Sequence, residues 1–188
     1  MRFFWKFIFL FLIIIFIFLG YIKIFEIDKF IARKLYPKTY SEYVEMASEK
    51  YNVDENLIFA IIKNESNFKN TVSSNKGAQC LMQLMETTAL EVAQSMEIYD
   101  ISNIDLSDPK TNIEIGTKYY SYLYQKYKNT ELALAAYNAG SGNVDKWIQA
   151  GSLKSDGSDI ENIPYKETNM YVRKVIQTKK IYDYVYKE

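Results

Sequence analysis

Residues 54–83 read DENLIFAIIKNESNFKNTVSSNKGAQCLMQ, and the rest of the chain is best interpreted around this stretch. Asp54 is a favoured N-cap residue, and apolar residues follow it at helical spacing: Leu57, Ile58, Ile61 and Ile62. The pattern predicts a helix that buries one face and places Glu65 about one turn beyond Ile61. A carboxyl group so placed is partly removed from water, which raises its pKa and favours general-acid chemistry. From this segment alone, the alternative is a glutamate that ends an amphipathic helix in water.

The composition excludes several classes of site. The 188 residues include 23 basic and 23 acidic side chains, so the chain has no net charge and lacks the basic footprint of a nucleic-acid-binding protein. Histidine is absent, which excludes Ser-His-Asp and Cys-His catalysis and zinc sites built on imidazole. Because Cys80 is the one cysteine, no internal disulfide and no cysteine-rich metal site is expected. Carboxylate, lysine and tyrosine remain for acid–base work, and we predict no cofactor and no metal.

Residues 1–25 have the composition of a membrane anchor. Arg2 and Lys6 precede an uncharged apolar run, residues 7–22, which ends at Lys23. A bilayer needs roughly 17 to 25 apolar residues, and snorkelling of the flanking lysines extends this short run. No small-residue cleavage site follows, so we predict an uncleaved single-pass transmembrane signal-anchor in the cell membrane, with the rest of the chain on the extracytoplasmic side. The alternative, a buried core helix, is disfavoured because the run is apolar on all sides.

The remainder of the chain is predicted to be helical. Residues 26–39 mix charged and apolar side chains and are predicted to form a juxtamembrane tether, which places the domain at residues 40–188. Helical spacing predicts helices over these segments: 40–51, 54–65, 81–96, 109–127, 130–139, a short helix bearing Trp147, and a last helix along 171–182. Gly116 lies on an apolar face, where it allows the close approach of another helix. No stretch alternates as a strand does, so the prediction is an all-α domain.

Four short motifs occur in order along this domain. They are Glu65-Ser66, Ser74 with GAQCLMQ at residues 77–83, AYNAG at residues 136–140, and IPYKETNMYVRKV at residues 163–175. In this order and spacing they resemble the motifs of the soluble lytic transglycosylase family of peptidoglycan-cleaving enzymes, whose pattern is ES, GAxGLMQ, AYNAG and ETxxYV. The likeness covers roughly residues 40–185. It therefore favours the functional interpretation of Glu65.

This resemblance implies a lysozyme-like α-helical domain that cleaves the β-1,4 bond between N-acetylmuramic acid and N-acetylglucosamine without adding water. Glu65 would protonate the leaving oxygen and then, as a base, take the proton of the muramyl 6-hydroxyl, which leaves a 1,6-anhydromuramyl end. Most glycosidases use two carboxylates. In this family the substrate's own acetamido group and hydroxyl take the second role, so one carboxylate suffices.

The resemblance also implies partners. The first is the peptidoglycan glycan strand, and the membrane is contacted through the N-terminal helix. Small anchored domains of this kind clear a local gap in the cell wall for a secretion or conjugation apparatus, so such machinery is a further expected partner. Nucleic acid is not expected as a partner, because the chain has no net charge.

A set of substrate-binding residues follows from the same resemblance, and most of its members have a structural alternative. The set contains Ser66, Ser74, Met82, Gln83, Tyr137, Asn138, Glu167 and Tyr171. By periodicity alone Met82 is a core residue, and Tyr171 packs in the core as readily as it acts directly. Ser74 is also an ordinary turn former, and Glu167 an ordinary first-turn glutamate at a positive helix end. For Tyr137 the two interpretations coincide, because a buried tyrosine needs a partner for its hydroxyl.

The sequence departs from the family pattern at Cys80, where the pattern has glycine. If that glycine has a positive φ, a cysteine there costs about 1 to 3 kcal/mol and displaces Gln83. If the glycine is needed for closeness to the sugar, the thiol narrows the groove. A milder interpretation is that a cysteine is small enough to be tolerated, with an exposed thiol open to oxidation. Two alternatives to the transglycosylase therefore stay open: a hydrolytic muramidase of the same fold, and a catalytically weakened peptidoglycan-binding or scaffold protein.

Overall fold

The computed structural model describes residues 2–70, 80–96 and 104–187. Within the first helix, the side chains of residues 2–6, 8, 10, 18, 19 and 21–27 are outside this description. The chain divides into two compact units, Met1–Pro37 and Lys38–Glu188. The division into anchor, tether and domain, made from the sequence, stays a prediction.

The first unit is one helix, α1 (Arg2–Leu35). It runs through most of the predicted tether, because residues 21–35 contain no glycine or proline to interrupt it. Nine large apolar side chains near its start are exposed: Phe7, Phe9, Phe11, Leu12, Ile13, Ile14, Ile15, Phe16 and Ile17. Among the described residues, no helix is both long enough and apolar enough to cross a membrane.

The second unit is built from helices. Its described residues form α2 (Ser41–Tyr51), α3 (Glu55–Glu65), α4 (Glu86–Ser95), α5 (Pro109–Tyr127), α6 (Thr130–Ala139), α7 (Ser141–Gln149), a 3-10 turn (Ile160–Asn162) and α8 (Lys166–Val185). No β-strand occurs in these parts of the chain. The all-α prediction is confirmed to this extent.

Helix α3 lies in the core of this unit. All six residues from Leu57 to Ile62 are buried, so this helix is covered by its neighbours on every side along these turns. It packs against α8, where the rings of Phe59 and Tyr182 stack with centroids 5.6 Å apart. Burying a large apolar side chain stabilises the fold by about 1.5 to 3 kcal/mol. The end of α3, which carries Glu65, therefore directly follows a run of buried core residues.

The predicted starts of α3, α5 and α6 are confirmed, and each of these helices has a side-chain cap. The Asp54 carboxylate accepts a hydrogen bond from Leu57 N at 2.9 Å and so caps α3. Asp108 caps α5 in the same way, and Pro109 lies in the first turn of that helix. The cap of α6 is Asn129 rather than the following threonine, because Asn129 is extended and accepts from Leu132 N at 2.9 Å.

The helix predicted over residues 81–96 is wrong at its start. Helix α4 begins at Glu86, and the preceding residues form a turn. Within this turn Cys80 and Gln83 have φ values of 61° and 47°, in the left-handed region that a right-handed helix excludes. Met82 and Gln83 therefore precede the helix instead of forming its first turn.

Candidate active site

Glu65 ends α3 with its carboxyl group largely removed from water. This burial raises the pKa of Glu65 from its ordinary value of 4.5 to about 7, and an interaction with Tyr171 offsets part of the rise. A pKa raised to this range keeps the carboxyl group available as a proton donor near neutral pH. Four other described carboxyl groups have a lowered pKa: Asp105, Asp145, Asp156 and Asp183. Unlike these four, Glu65 is suited to donate a proton near neutral pH.

Two tyrosines lie close to Glu65. The pKa values of Tyr137 and Tyr171 are both raised well above the ordinary value, first by burial and then by the nearby Glu65 carboxylate. The Tyr171 hydroxyl is close enough to lower the pKa of Glu65, but it reaches hydrogen-bonding geometry with no atom of the described residues. It is therefore a polar neighbour of the acid and not a partner in a formed hydrogen bond.

Tyr137 connects the acid to the turn before α4. Its hydroxyl donates to the Met82 carbonyl at 2.9 Å. Its ring packs against Tyr119, with centroids 5.3 Å apart and planes inclined by 44°. Tyr137 is thereby fixed at both its ring and its hydroxyl. Because Tyr137 also lies close to Glu65, its side chain links the turn to the Glu65 carboxyl group.

The turn before α4 carries two of the predicted binding residues, Met82 and Gln83, which differ in their exposure. Met82 is 0% exposed, and its backbone N–H and carbonyl are both hydrogen-bonded within the domain, so the predicted contact of this residue with a ligand is not formed in this conformation. Gln83 is partly exposed, and its side-chain amide donates to the Cys80 carbonyl at 2.8 Å. The orientation of Gln83 therefore depends on the conformation of Cys80.

Cys80 has the backbone conformation that favours glycine. Its φ of 61° places a Cβ-bearing residue in the left-handed region, so the strained alternative raised from the sequence applies. One interpretation of the sequence expected an exposed thiol. The structure shows the opposite, because Cys80 is only 7% exposed. Burial, together with the nearby Asp105, raises the pKa of this thiol and makes the reactive thiolate scarcer.

We expect Cys80→Gly to raise the free energy of unfolding by about 1 kcal/mol, since glycine adopts φ near 60° without a Cβ penalty. Cys80→Ala is the matched control, because it removes the thiol but keeps the Cβ and hence the strain. Urea denaturation of both variants beside the wild type measures the difference. If alanine stabilises as much as glycine does, backbone strain is not the cause.

A second group of predicted binding residues lies around a neighbouring cavity. This cavity of about 390 Å³ is lined by the end of α6, the adjacent part of α7 and the start of α8: Asn138, Ala139, Asn143, Tyr165, Lys166, Glu167 and Thr168. The Asn138 side-chain oxygen accepts a hydrogen bond from the Thr168 hydroxyl at 2.8 Å, and this bond links α6 to α8 beside the cavity. Glu167 is exposed in the first turn of α8. Asn138 and Glu167 therefore line the same cavity. Asn138 directly follows Tyr137 on α6, and Glu167 lies one helical turn before Tyr171 on α8. Both tyrosines lie close to Glu65.

Of the two serines in the predicted set, one is buried and the other lies outside the described residues. Ser66 is 6% exposed, and its hydroxyl donates to the Ile62 carbonyl at 3.2 Å, so in this conformation it serves the end of α3. Ser74, with residues 77–79 of the GAQCLMQ motif, lies outside the described residues.

We expect Tyr171→Phe to raise the pKa of Glu65 further, because the hydroxyl that it removes lowers that pKa. The alkaline limb of the pH–rate profile then moves to higher pH by less than about one pH unit, because this polar contact is weaker than a formed hydrogen bond. Tyr137→Phe is the control: it leaves the limb in place but lowers thermal stability, since it breaks the bond to Met82. A limb that moves to lower pH in Tyr171→Phe is incompatible with this role.

Two residues of the site were not found from the sequence. Tyr119 is next to Tyr120, which lies on the buried stripe of α5, and no pattern in the sequence indicates that Tyr119 packs on Tyr137. Asn112 is fully buried and lies four residues before Gly116 on the same helix face. A polar residue on a buried stripe is a signal that could have identified it. Among the residues that the structure describes, no group of three acidic or cysteine side chains is arranged to hold a metal ion.

Sequence comparison relates the chain to known proteins. The profile of the family described as "Transglycosylase SLT domain" matches residues 42–159. The soluble lytic murein transglycosylase of Escherichia coli K12 is 34% identical over 152 residues, covering 79% of this chain and 24% of that protein. The membrane-bound lytic murein transglycosylase C of Edwardsiella ictaluri is 35% identical over 165 residues, covering 76% of this chain and 46% of that protein. The chain thus spans about a quarter and about half of these two relatives.

Comparison of structures gives the same result. The lytic transglycosylase Slt of Pseudomonas aeruginosa, solved as an inactive Glu-to-Gln mutant, matches with a TM-score of 0.72 and 34% sequence identity, over 79% of this chain and 24% of that one. The lysozyme-like helical fold expected from the sequence is confirmed by this match.

Proposed function

The chain belongs to the transglycosylase SLT domain family, and on that basis we propose that it is a peptidoglycan lytic transglycosylase. The substrate is the glycan strand, cut at the β-1,4 bond between N-acetylmuramic acid and N-acetylglucosamine. The observation that carries the proposal is the raised pKa of Glu65, about 7, at the end of a buried helix. The inactive Glu-to-Gln mutant of the Pseudomonas relative supports a requirement for one such carboxyl group.

In the first step, protonated Glu65 gives its proton to the glycosidic oxygen as the bond from that oxygen to the muramyl C1 breaks. The group that leaves is an N-acetylglucosamine hydroxyl, and Glu65 becomes a carboxylate. A pKa near the working pH suits both roles, since the same group must first lose and then regain a proton.

In the second step, the Glu65 carboxylate takes the proton of the muramyl 6-hydroxyl, and that oxygen forms a bond to C1. The product carries a 1,6-anhydro ring, Glu65 is protonated again, and no water is consumed. The nearby Tyr171 hydroxyl stabilises the carboxylate between the two steps, because its interaction lowers the pKa of Glu65. We propose that Gln83, Asn138 and Glu167 bind the glycan on either side of the acid.

A purified-sacculus assay with the full chain in detergent tests the reaction. Released fragments are treated with borohydride, which reduces an ordinary muramyl end but not an anhydro end. We expect fragments that resist reduction. Reducible ends would identify a hydrolytic muramidase of the same fold instead.

A binding protein with little catalysis is the second candidate, because Cys80 occupies the family glycine position with a φ of 61°. Saturable binding to sacculi without released fragments, from the wild type and from Cys80→Gly alike, would favour it. Fragments from Cys80→Gly alone would show that the strain itself limits catalysis.

We also propose that residues 1–25 anchor the domain to the cell membrane. The exposed apolar side chains between Phe7 and Ile17 support this, since apolar surface of that extent is unfavourable in water and favourable in lipid. Resistance of the full chain to extraction from membranes at high pH tests the anchor, and its release into the supernatant would exclude one. Local wall clearance for a secretion or conjugation apparatus is proposed on the family resemblance.

A further inference from the structure

We propose that Asn112 is a positioning residue, whose side chain holds the turn from Cys80 to Gln83 in the conformation that presents Gln83 to the ligand. The inference rests on the proposed function for the identity of that ligand, a β-1,4-linked acetamido sugar. Neither the sequence motifs nor the family comparison assigns a role to Asn112.

Both ends of the Asn112 side chain are used. The residue is 0% exposed, and its side-chain oxygen accepts from Met82 N at 2.9 Å. Its side-chain nitrogen donates to the Leu106 carbonyl at 3.1 Å. The amide therefore links helix α5 to the turn on one side and to the segment before α5 on the other.

The turn needs such support because of its backbone. Cys80 and Gln83 both have a positive φ, and residues in this sparsely populated region persist only where the surroundings determine their conformation. Helix formation would otherwise compete, since residues 81–96 carry a helical pattern. Contacts with the rest of the domain must therefore stabilise the turn conformation of these residues against the helical one.

Three contacts converge on the middle of the turn, at Met82. Its N–H is bound by Asn112, and its carbonyl is bound by the Tyr137 hydroxyl at 2.9 Å. Its side chain fills the space left by Gly116, where an added Cβ would lie 2.5 Å from the methionine sulfur. Asn112 supplies the one side-chain hydrogen bond from α5 among these contacts, so its loss frees the N–H of Met82.

A change in the conformation of the turn alters the position of Gln83 through the carbonyl group of Cys80. The side-chain amide of Gln83 donates to the Cys80 carbonyl at 2.8 Å, so the direction of that carbonyl sets the position of Gln83. If the turn rearranges, the carbonyl moves and Gln83 loses its orientation. Asn112 then affects ligand affinity without touching the ligand.

The test uses the full chain in detergent with Glu65→Gln as background, so that a bound glycan is not cleaved. We compare Asn112→Ala, which loses both bonds, with Asn112→Asp, which keeps an acceptor for Met82 N. Ser121→Ala is the matched control on the same helix, because its buried hydroxyl donates to the Tyr51 carbonyl at 3.0 Å, away from the turn. The probe is the soluble tetramer of β-1,4-linked N-acetylglucosamine, and its Kd is measured by calorimetry below the melting temperature of each variant.

For Asn112→Ala we expect a Kd at least tenfold higher than that of the background, and for Asn112→Asp a Kd within threefold of it. Ser121→Ala is expected to lower the melting temperature comparably with no change in Kd. A merely structural Asn112 would behave as Ser121 does, and equal Kd values for the two alanine variants would overturn the inference.

Hydrogen exchange at the turn separates this inference from the proposed function. Exchange of the Met82 amide is expected to be at least tenfold faster in Asn112→Ala and unchanged in Ser121→Ala. If the background protein binds no glycan and the wild type releases no fragments, the proposed function fails together with the ligand part of the inference. The support of the turn by Asn112 is then decided by exchange alone, and unchanged exchange in Asn112→Ala refutes it.

Discussion

Glu65→Gln is expected to lower the kcat of the proposed peptidoglycan cleavage by about 10² to 10⁴, which is the usual contribution of a general acid. Glutamine matches glutamate in size, so the packing at the end of α3 is kept while the transferable proton is lost. Circular dichroism is expected to be unchanged. Initial rates of fragment release from purified sacculi measure the effect.

The matched control is Glu167→Gln, which makes the same change at an exposed carboxyl group beside the neighbouring cavity. We expect this variant to bind glycan more weakly but to retain the pH–rate limb near pH 7 that Glu65 sets. Substantial activity in Glu65→Gln, or loss of that limb in Glu167→Gln, would transfer the acid role away from Glu65.

The same substitution changes how stability depends on pH. The folded pKa of Glu65 is about 7, above the ordinary value of 4.5, so the folded state binds this proton more tightly than the unfolded chain does. The stability gained from that binding is fully present below about pH 4.5 and is lost as the pH rises to about 7. A displacement of this size corresponds to about 3 kcal/mol. Urea denaturation at acidic and alkaline pH is expected to show this fall in the wild type and a smaller one in Glu65→Gln.

Gly116→Ala is expected to lower the free energy of unfolding by about 1 to 3 kcal/mol, the usual cost of overpacking a core. The added Cβ would lie 2.5 Å from the sulfur of Met82 and 2.9 Å from its Cβ. The sulfur could rotate away, but the Cβ moves only with the backbone. The turn that carries Gln83 therefore shifts, and activity falls along with stability.

Gly142→Ala provides the control for that measurement. Gly142 lies in helix α7 with no heavy atom within 4 Å of an added Cβ, so alanine there is neutral or slightly stabilising through its higher helix propensity. Thermal denaturation of both variants, with rates measured at a temperature where both are folded, tests the contrast. Equal melting temperatures would mean that Met82 is not confined by Gly116.

The elements that the sequence predicted well are those determined by local pattern. Helix α5 has the predicted bounds, because a capping Asp108, a first-turn proline and a long apolar stripe act together. Helix α3 is placed correctly by its Asp54 cap and apolar spacing, and the partly buried position of Glu65 follows from the same pattern. The pKa of Glu65 could therefore be anticipated in direction from the sequence.

The elements that were missed depend on contacts between distant parts of the chain. Residues 81–85 carry a helical pattern, yet they form a turn because Asn112 and Tyr137 bind the backbone of Met82. The close approach predicted for Gly116 is confirmed, and the nearest atoms to an added Cβ belong to Met82 of this turn, which precedes a helix instead of forming part of one. The packing of Tyr119 on Tyr137 also joins two helices, and single-sequence periodicity contains no information about such pairs.

The central claim is that Glu65 drives a reaction in which the muramyl 6-hydroxyl, and not water, attacks C1. Mass spectrometry of the fragments that the full chain releases from purified peptidoglycan tests it most directly, beside the Glu65→Gln variant. We predict muramyl ends lighter by one water than hydrolytic ends, from the wild type alone. Hydrated ends from the wild type, or anhydro ends from Glu65→Gln at a comparable rate, would contradict the account.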